Sequence, residues 1–139
     1  MLRMDFEQFC ARSGAQTDGL RRVLDAVRGD AWCAGGAVRR TIAGLSLDSD
    51  FDFFFRSQDH LTDWETKLPA SLSVVRETAH HKHWRGPLPG SDIPVDVQAI
   101  KFRFYENAEA VIDSFDYTIT VFALDGGTLV TTPEALWDL

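Results

Sequence analysis

Residues 31–55, AWCAGGAVRRTIAGLSLDSDFDFFF, decide how this sequence folds. Ala31 to Ala34 form a short apolar strand that runs into Gly35-Gly36, and residues 37–43 then read as a helix that Gly44 stops. Asp50-Phe51-Asp52-Phe53-Phe54-Phe55 follows as a second strand, by its aromatic content. A glycine pair between strand and helix lets the backbone approach a ligand closely. The free N–H groups of the helix's first turn, with the helix dipole, favour an anion there. A tight turn without a ligand accounts for the same residues, so the junction decides nothing alone. Alternation adds to it. Residues two apart in a strand share a face, so Asp50 and Asp52 point one way and Phe51, Phe53 and Phe55 the other, into the core. Neighbouring carboxylates repel unless a cation compensates, and Mg²⁺ is the usual partner where phosphates react. A solvent-facing strand edge is the alternative for this pair. Asp96, in Ile93-Pro94-Val95-Asp96-Val97-Gln98, is the candidate third carboxylate. A salt bridge, or an edge position beside Pro94, explains it equally.

On either side of this stretch the elements alternate in type. Residues 4–12 and 17–28 read as helices. The second carries Leu20, Val23, Leu24 and Val27 on one face, with Thr17 or Asp18 as its cap. Residues 58–68 suit a helix with Leu61, Trp64 and Leu68 inward, and residues 106–113 a short one. Residues 72–78 and 93–100 read as strands, joined by a turn-rich loop containing Gly86, Pro87, Pro89 and Gly90. Residues 116–124 and 128–131 suit a hairpin around Asp125-Gly126-Gly127, and Pro133 opens a last helical turn. The sum is one α/β (α+β) domain, a mixed sheet with flanking helices.

Composition narrows the function classes. Of 139 residues, 45% are hydrophobic, enough for a folded core. The net charge of −7 argues against nucleic-acid binding by the chain alone, since that affinity comes from clustered Lys and Arg. No apolar run spans a bilayer, so a cytosolic setting and no membrane partner are expected. Cys10 and Cys33 read as buried thiols. His80, His81 and His83 read as a solvated or pocket-rim loop, from which His83 reaches the acidic pair if the loop folds over it. Trp32, Trp64 and Trp84 read as packing residues, and Trp137 as an exposed one. Phe102, Phe104 and Tyr105, alternating with Lys101 and Arg103, read as a half-buried strand or a stacking surface.

Gly35-Gly36-Ala37-Val38-Arg39, then Asp50-Phe51-Asp52, then Ser114-Phe115-Asp116-Tyr117-Thr118-Ile119-Thr120 resemble, in that order, three motifs of class II nucleotidyltransferase heads. Those are the heads of CCA-adding enzymes and bacterial poly(A) polymerases. The resemblance implies a polymerase-β-like fold and transfer of a nucleotidyl group from an NTP to a hydroxyl acceptor. It implies Mg²⁺ or Mn²⁺ on Asp50 and Asp52, with Asp96 completing the catalytic set. It implies nucleotide contacts at Gly35, Gly36, Arg39 and Asp116, although an ion pair with a nearby Asp also explains Arg39. Three residues depart from the pattern: Arg40 stands where the family has Asp, and Ser114 and Phe115 replace a pair of arginines. Val97 to Phe102 with Val111 to Ile119 resemble instead the ending of short single-domain relatives carried by tailed bacteriophages. That second resemblance implies a virion or accessory protein, in the particle or in the bacterial host's cytoplasm. Such a protein keeps the fold without the reaction, and its partners are other phage structural proteins.

Overall fold

The computed structural model describes residues 1–27, 30–47, 50–115 and 121–139. Among the described residues, eight strands form one sheet and six helices pack on it. The strands are β1 (Leu2–Asp5), β2 (Trp32–Ala34), β3 (Phe51–Phe54), β4 (Ser73–Glu77), β5 (His81–Pro87), β6 (Pro94–Ile100), β7 (Phe122–Asp125) and β8 (Thr128–Thr131). The helices are α1 (Phe6–Ser13), α2 (Asp18–Ala26), α3 (Gly36–Ala43), α4 (Gln58–Thr66), α5 (Ala108–Asp113) and α6 (Pro133–Trp137). Across the sheet the order is β1-β8-β7-β2-β3-β6-β5-β4, with β3 and β6 parallel and the other described pairs antiparallel. The fold is therefore mixed α/β, as expected. No helix of the described residues is long and apolar enough to cross a membrane.

Register sorts the side chains onto two faces. Leu124, Cys33 and Phe53 are paired neighbours on β7, β2 and β3, and Phe51, Val97 and Trp84 are paired neighbours on β3, β6 and β5. All are buried. Trp64 of α4 closes over this face, its ring 5.3 Å from Phe53, 5.0 Å from Phe55 and 5.6 Å from Trp84. On the other face α5 packs against β2, β7 and β8, and Phe115 just beyond it meets Phe54 at 5.9 Å.

Helix ends follow local chemistry. Asp5, Ser57, Asn107 and Thr132 each cap a helix by accepting from a backbone N–H. Thr17 occupies the N-cap of α2, but its hydroxyl accepts from Arg21 Nη2 at 3.3 Å rather than from a backbone N–H of the first turn. Gly35, which has no side chain to offer, stands at the N-cap of α3, and Gly44 ends that helix in the left-handed region as expected.

Two expectations are corrected. Residues 81–87 are not a loop but a strand between β4 and β6, and Gly86-Pro87 lies at its end, where Pro87 opposes Pro94. A proline lacks the N–H that a ladder needs, so strand ends suit it. The N-terminal residues Leu2–Asp5, partly assigned to a helix above, form an edge strand on β8. Residues 101–105 are outside any strand, with Phe102 exposed and Tyr105 buried. The expected 116–124 strand falls partly outside the described residues, and its remainder forms β7.

Candidate metal and phosphate site

Asp52 leaves β3 on the face opposite Phe51 and Phe53. Its neighbour on β2 is Ala34, the residue before the glycines, and its neighbour on β6 is Gln98. Gly35 has φ 93°, a conformation that L side chains rarely adopt. A Cβ placed there would stand 3.8 Å from Asp52 Oδ2, so hinge and carboxylate adjoin. Asp50 is tied to the same face by Gln98, whose Nε2 donates to Asp50 Oδ2 at 2.7 Å. Because β3 is flanked by β2 and β6, the solvent-facing-edge explanation of the pair does not apply.

β5 and β6 complete the face. His83 stands opposite Gln98 and Arg85 opposite Asp96. His83 Nε2 and Asp96 Oδ1 lie 2.7 Å apart, and Arg85 Nη1 donates to Asp96 Oδ2 at 2.5 Å. Asp96 thus makes the salt bridge that was one of its two explanations. One ligand atom each of Asp50, His83 and Asp96 lies within 4.8 Å of the others, close enough for one ion to touch all three.

The two strand carboxylates differ in charge state. Burial pushes the Asp52 carboxyl up to about 7; the charge of Asp50 adds to this and His83 opposes it. Burial also works to raise Asp96, but the hydrogen bonds from His83 and Arg85 outweigh it and hold that carboxyl below its ordinary range. Near neutrality Asp96 is ionised while Asp52 is poised between its two forms.

The structure brings Asp50, Asp52, Asp96 and Gly35-Gly36 to one place. Arg39 is half-buried in α3, its backbone N–H donating to the Gly35 carbonyl at 3.2 Å. Asp116 lies outside the described residues. Gln98, Arg85 and the strand position of His83 escaped sequence reasoning. Reading His81-Lys82-His83-Trp84-Arg85 as alternating, with Trp84 inward, was the available signal.

No curated protein matches the chain. A family model does match, over residues 2–139, and it overturns the resemblance to the heads of CCA-adding enzymes and poly(A) polymerases. Arg40, Ser114 and Phe115 are where the residues already parted from that pattern: each changes the charge the motif would present. Over nearly its whole length, this chain belongs to the Gabija anti-defense 2 (Gad2) family.

Proposed function

We propose that this protein is a phage-encoded accessory factor acting against Gabija defence in the host cell, and that its acidic face binds a nucleotide through a divalent cation. Membership of a family described as Gabija anti-defense supports the first part, and it favours the accessory reading over that of a virion component or free-standing enzyme. The observation that carries the second part is Asp52, a half-buried carboxylate set beside Asp50 and against a glycine hinge. Such a pair is costly to bury unless a cation compensates it.

The donor atoms fit that cation. Carboxylate oxygens suit Mg²⁺ and Mn²⁺, which would be held by Asp50 and Asp52. An imidazole nitrogen suits softer ions, which leaves His83 the task of orienting Asp96. The first amides of α3, entered through side-chain-free Gly35, face the anionic end of the nucleotide, with Arg39 one turn further on. A bound divalent cation would offset the negative charge that the nucleotide's phosphates bring to this face. Asp96, kept ionised by His83 and Arg85, adds to the negative field that holds the ion.

Calorimetric titration of the protein with ATP or CTP in MgCl₂ is expected to give saturable heat, and Asp52→Ala to weaken it by about a hundredfold, the scale of losing a charged ligand. No heat with any NTP would reject the nucleotide. Separately, expressing the chain in a Gabija-bearing strain is expected to restore plaques of a Gabija-sensitive phage. Unrestored plaques would reject the anti-defence role, and protection that survives Asp52→Ala would detach the acidic face from it.

A further inference from the structure

We propose that a single-stranded nucleic acid binds along β5 and β4, on a strip of cations and rings that these strands add to the sheet face carrying the carboxylates. The strip stands beside the nucleotide site and does not depend on it.

Register carries the face outward from Asp52. Asp52 neighbours Gln98, Gln98 opposes His83 and His83 opposes Arg76, so these four side chains form one row across β3, β6, β5 and β4. Arg85, opposite Asp96, and His81, opposite Ile100, lie on the same side of β5 as His83. Arg76, His81 and Arg85 are exposed, whereas Trp84 on the core side is buried. No carboxylate of β4 or β5 shares this side, since Glu77 opposes Lys82 on the other. The two strands carry Arg76, Lys82 and Arg85 against Glu77 alone, although the chain has a net charge of −7. That net charge argued against nucleic acid, yet the clustered cations such binding needs are gathered here. Arg76 has no hydrogen bond or ion pair among the described residues. Arg85 uses one guanidinium nitrogen on Asp96, which leaves others for a phosphate.

The strip ends in rings. Phe102 is 56% exposed, and the rings of His80 and His81 meet it at 5.9 and 6.4 Å. The backbone holds this cluster in place. Thr78 Oγ1 accepts from the N–H groups of both histidines, and the Lys101 N–H donates to the His80 carbonyl at 2.9 Å. Unstacked bases pack on such rings whatever their sequence, while a duplex keeps its bases stacked inside. From Arg85 to His81 the strip runs about 13 Å along β5, too long for one phosphate. An open strip of that length suits a chain of phosphates whose bases turn toward the rings.

Fluorescence anisotropy tests this, with a fluorescein-labelled oligodeoxythymidylate of about twelve nucleotides, within the usual site size of such surfaces. The full chain is titrated at neutral pH in EDTA without nucleotide, so strand binding and nucleotide binding can fail separately. Saturable binding is expected, weakening as NaCl rises from about 50 to about 200 mM. Arg76→Ala is expected to weaken it about tenfold and to flatten the slope of log K against log salt by about 0.7, the share of one phosphate. Phe102→Ala is expected to weaken it about tenfold with the slope unchanged, since stacking releases no counterions. Both side chains are exposed, so the fold survives their loss. Trp137→Ala removes an exposed ring near the opposite edge of the sheet and is expected to change nothing. Absence of saturable binding would overturn the proposal, as would a Phe102→Ala variant that binds like wild type or an equal loss in Trp137→Ala. So would displacement of the strand by a duplex or by inorganic polyphosphate at equal phosphate concentration, which would mean that charge alone holds it.

Discussion

In chelator-treated protein, raising the pH from about 4 to about 8 is expected to remove about 4 kcal/mol of stability through Asp52 alone, and Asp52→Asn to abolish that loss. The folded state holds this carboxyl up at about 7, chiefly by burial, whereas an unfolded chain returns it to the ordinary carboxylate range. A raised value means that the folded protein keeps its proton longer. The favourable contribution is complete below the unfolded pKa, fades as the pH climbs through the folded one, and is gone above it. Asp96 and Glu109 run the other way, since their carboxyls are held below the ordinary range in the fold. The raw pH profile therefore mixes both signs, and the measurement is the difference between wild type and Asp52→Asn in urea melts across the range. The variant should be the more stable at pH 8 and nearly equal to wild type at pH 4. Adding Mg²⁺ should rescue the wild type at pH 8 and leave Asp52→Asn unmoved. A difference that stays flat with pH would mean that Asp52 is not the buried carboxyl described.

The second large effect belongs to Gly86. It lies on β5, its side of the strand shared with buried Trp84, and a Cβ there would come within 2.1 Å of the Ser71 carbonyl oxygen and 3.2 Å of Leu72 Cα. Both are backbone atoms, so no rotamer change relieves the clash. Either the chain ahead of β4 or β5 itself must shift. Gly86→Ala is expected to cost about 3 kcal/mol or more, at the upper end for overpacking, as read by the urea midpoint. Because β5 also carries His83 and Arg85, their grip on Asp96 should loosen, and cation affinity should drop further than the stability loss explains. Gly127→Ala, where an added Cβ meets nothing within 4 Å, is the matched control and is expected to change little.

Much of the fold was legible because the decisive stretch obeys simple rules. A glycine pair ends β2, a left-handed Gly44 ends α3, and phenylalanines alternating with carboxylates set the facing of β3. β5 was not legible, because Gly86-Pro87 resembles a turn. Gly86 is there so that Ser71 can pass close by, a requirement set by a segment distant in sequence. With β5 read as a loop, His83 and Arg85 lost their places opposite Gln98 and Asp96, so the acidic face was seen without its cations. β1 failed for another reason: Leu2-Arg3-Met4-Asp5 is too short for either period to declare itself, and pairing with β8 decides it. The family could not be reached from motif order, since the residues that carry charge in the resembled motifs are those that differ here.

The one parallel pairing among the described residues, β3 against β6, also governs when the molecule becomes whole. Phe51 must find Val97, and Asp52 must find Gln98, from opposite halves of the chain. The second half closes quickly through its hairpins, β5 with β6 and β7 with β8, while the seam between β3 and β6 waits on a longer chain closure. Until that seam zips, Asp96 on β6 stays apart from Asp50 and Asp52, and the third negative charge joins the other two only as the two strands pair.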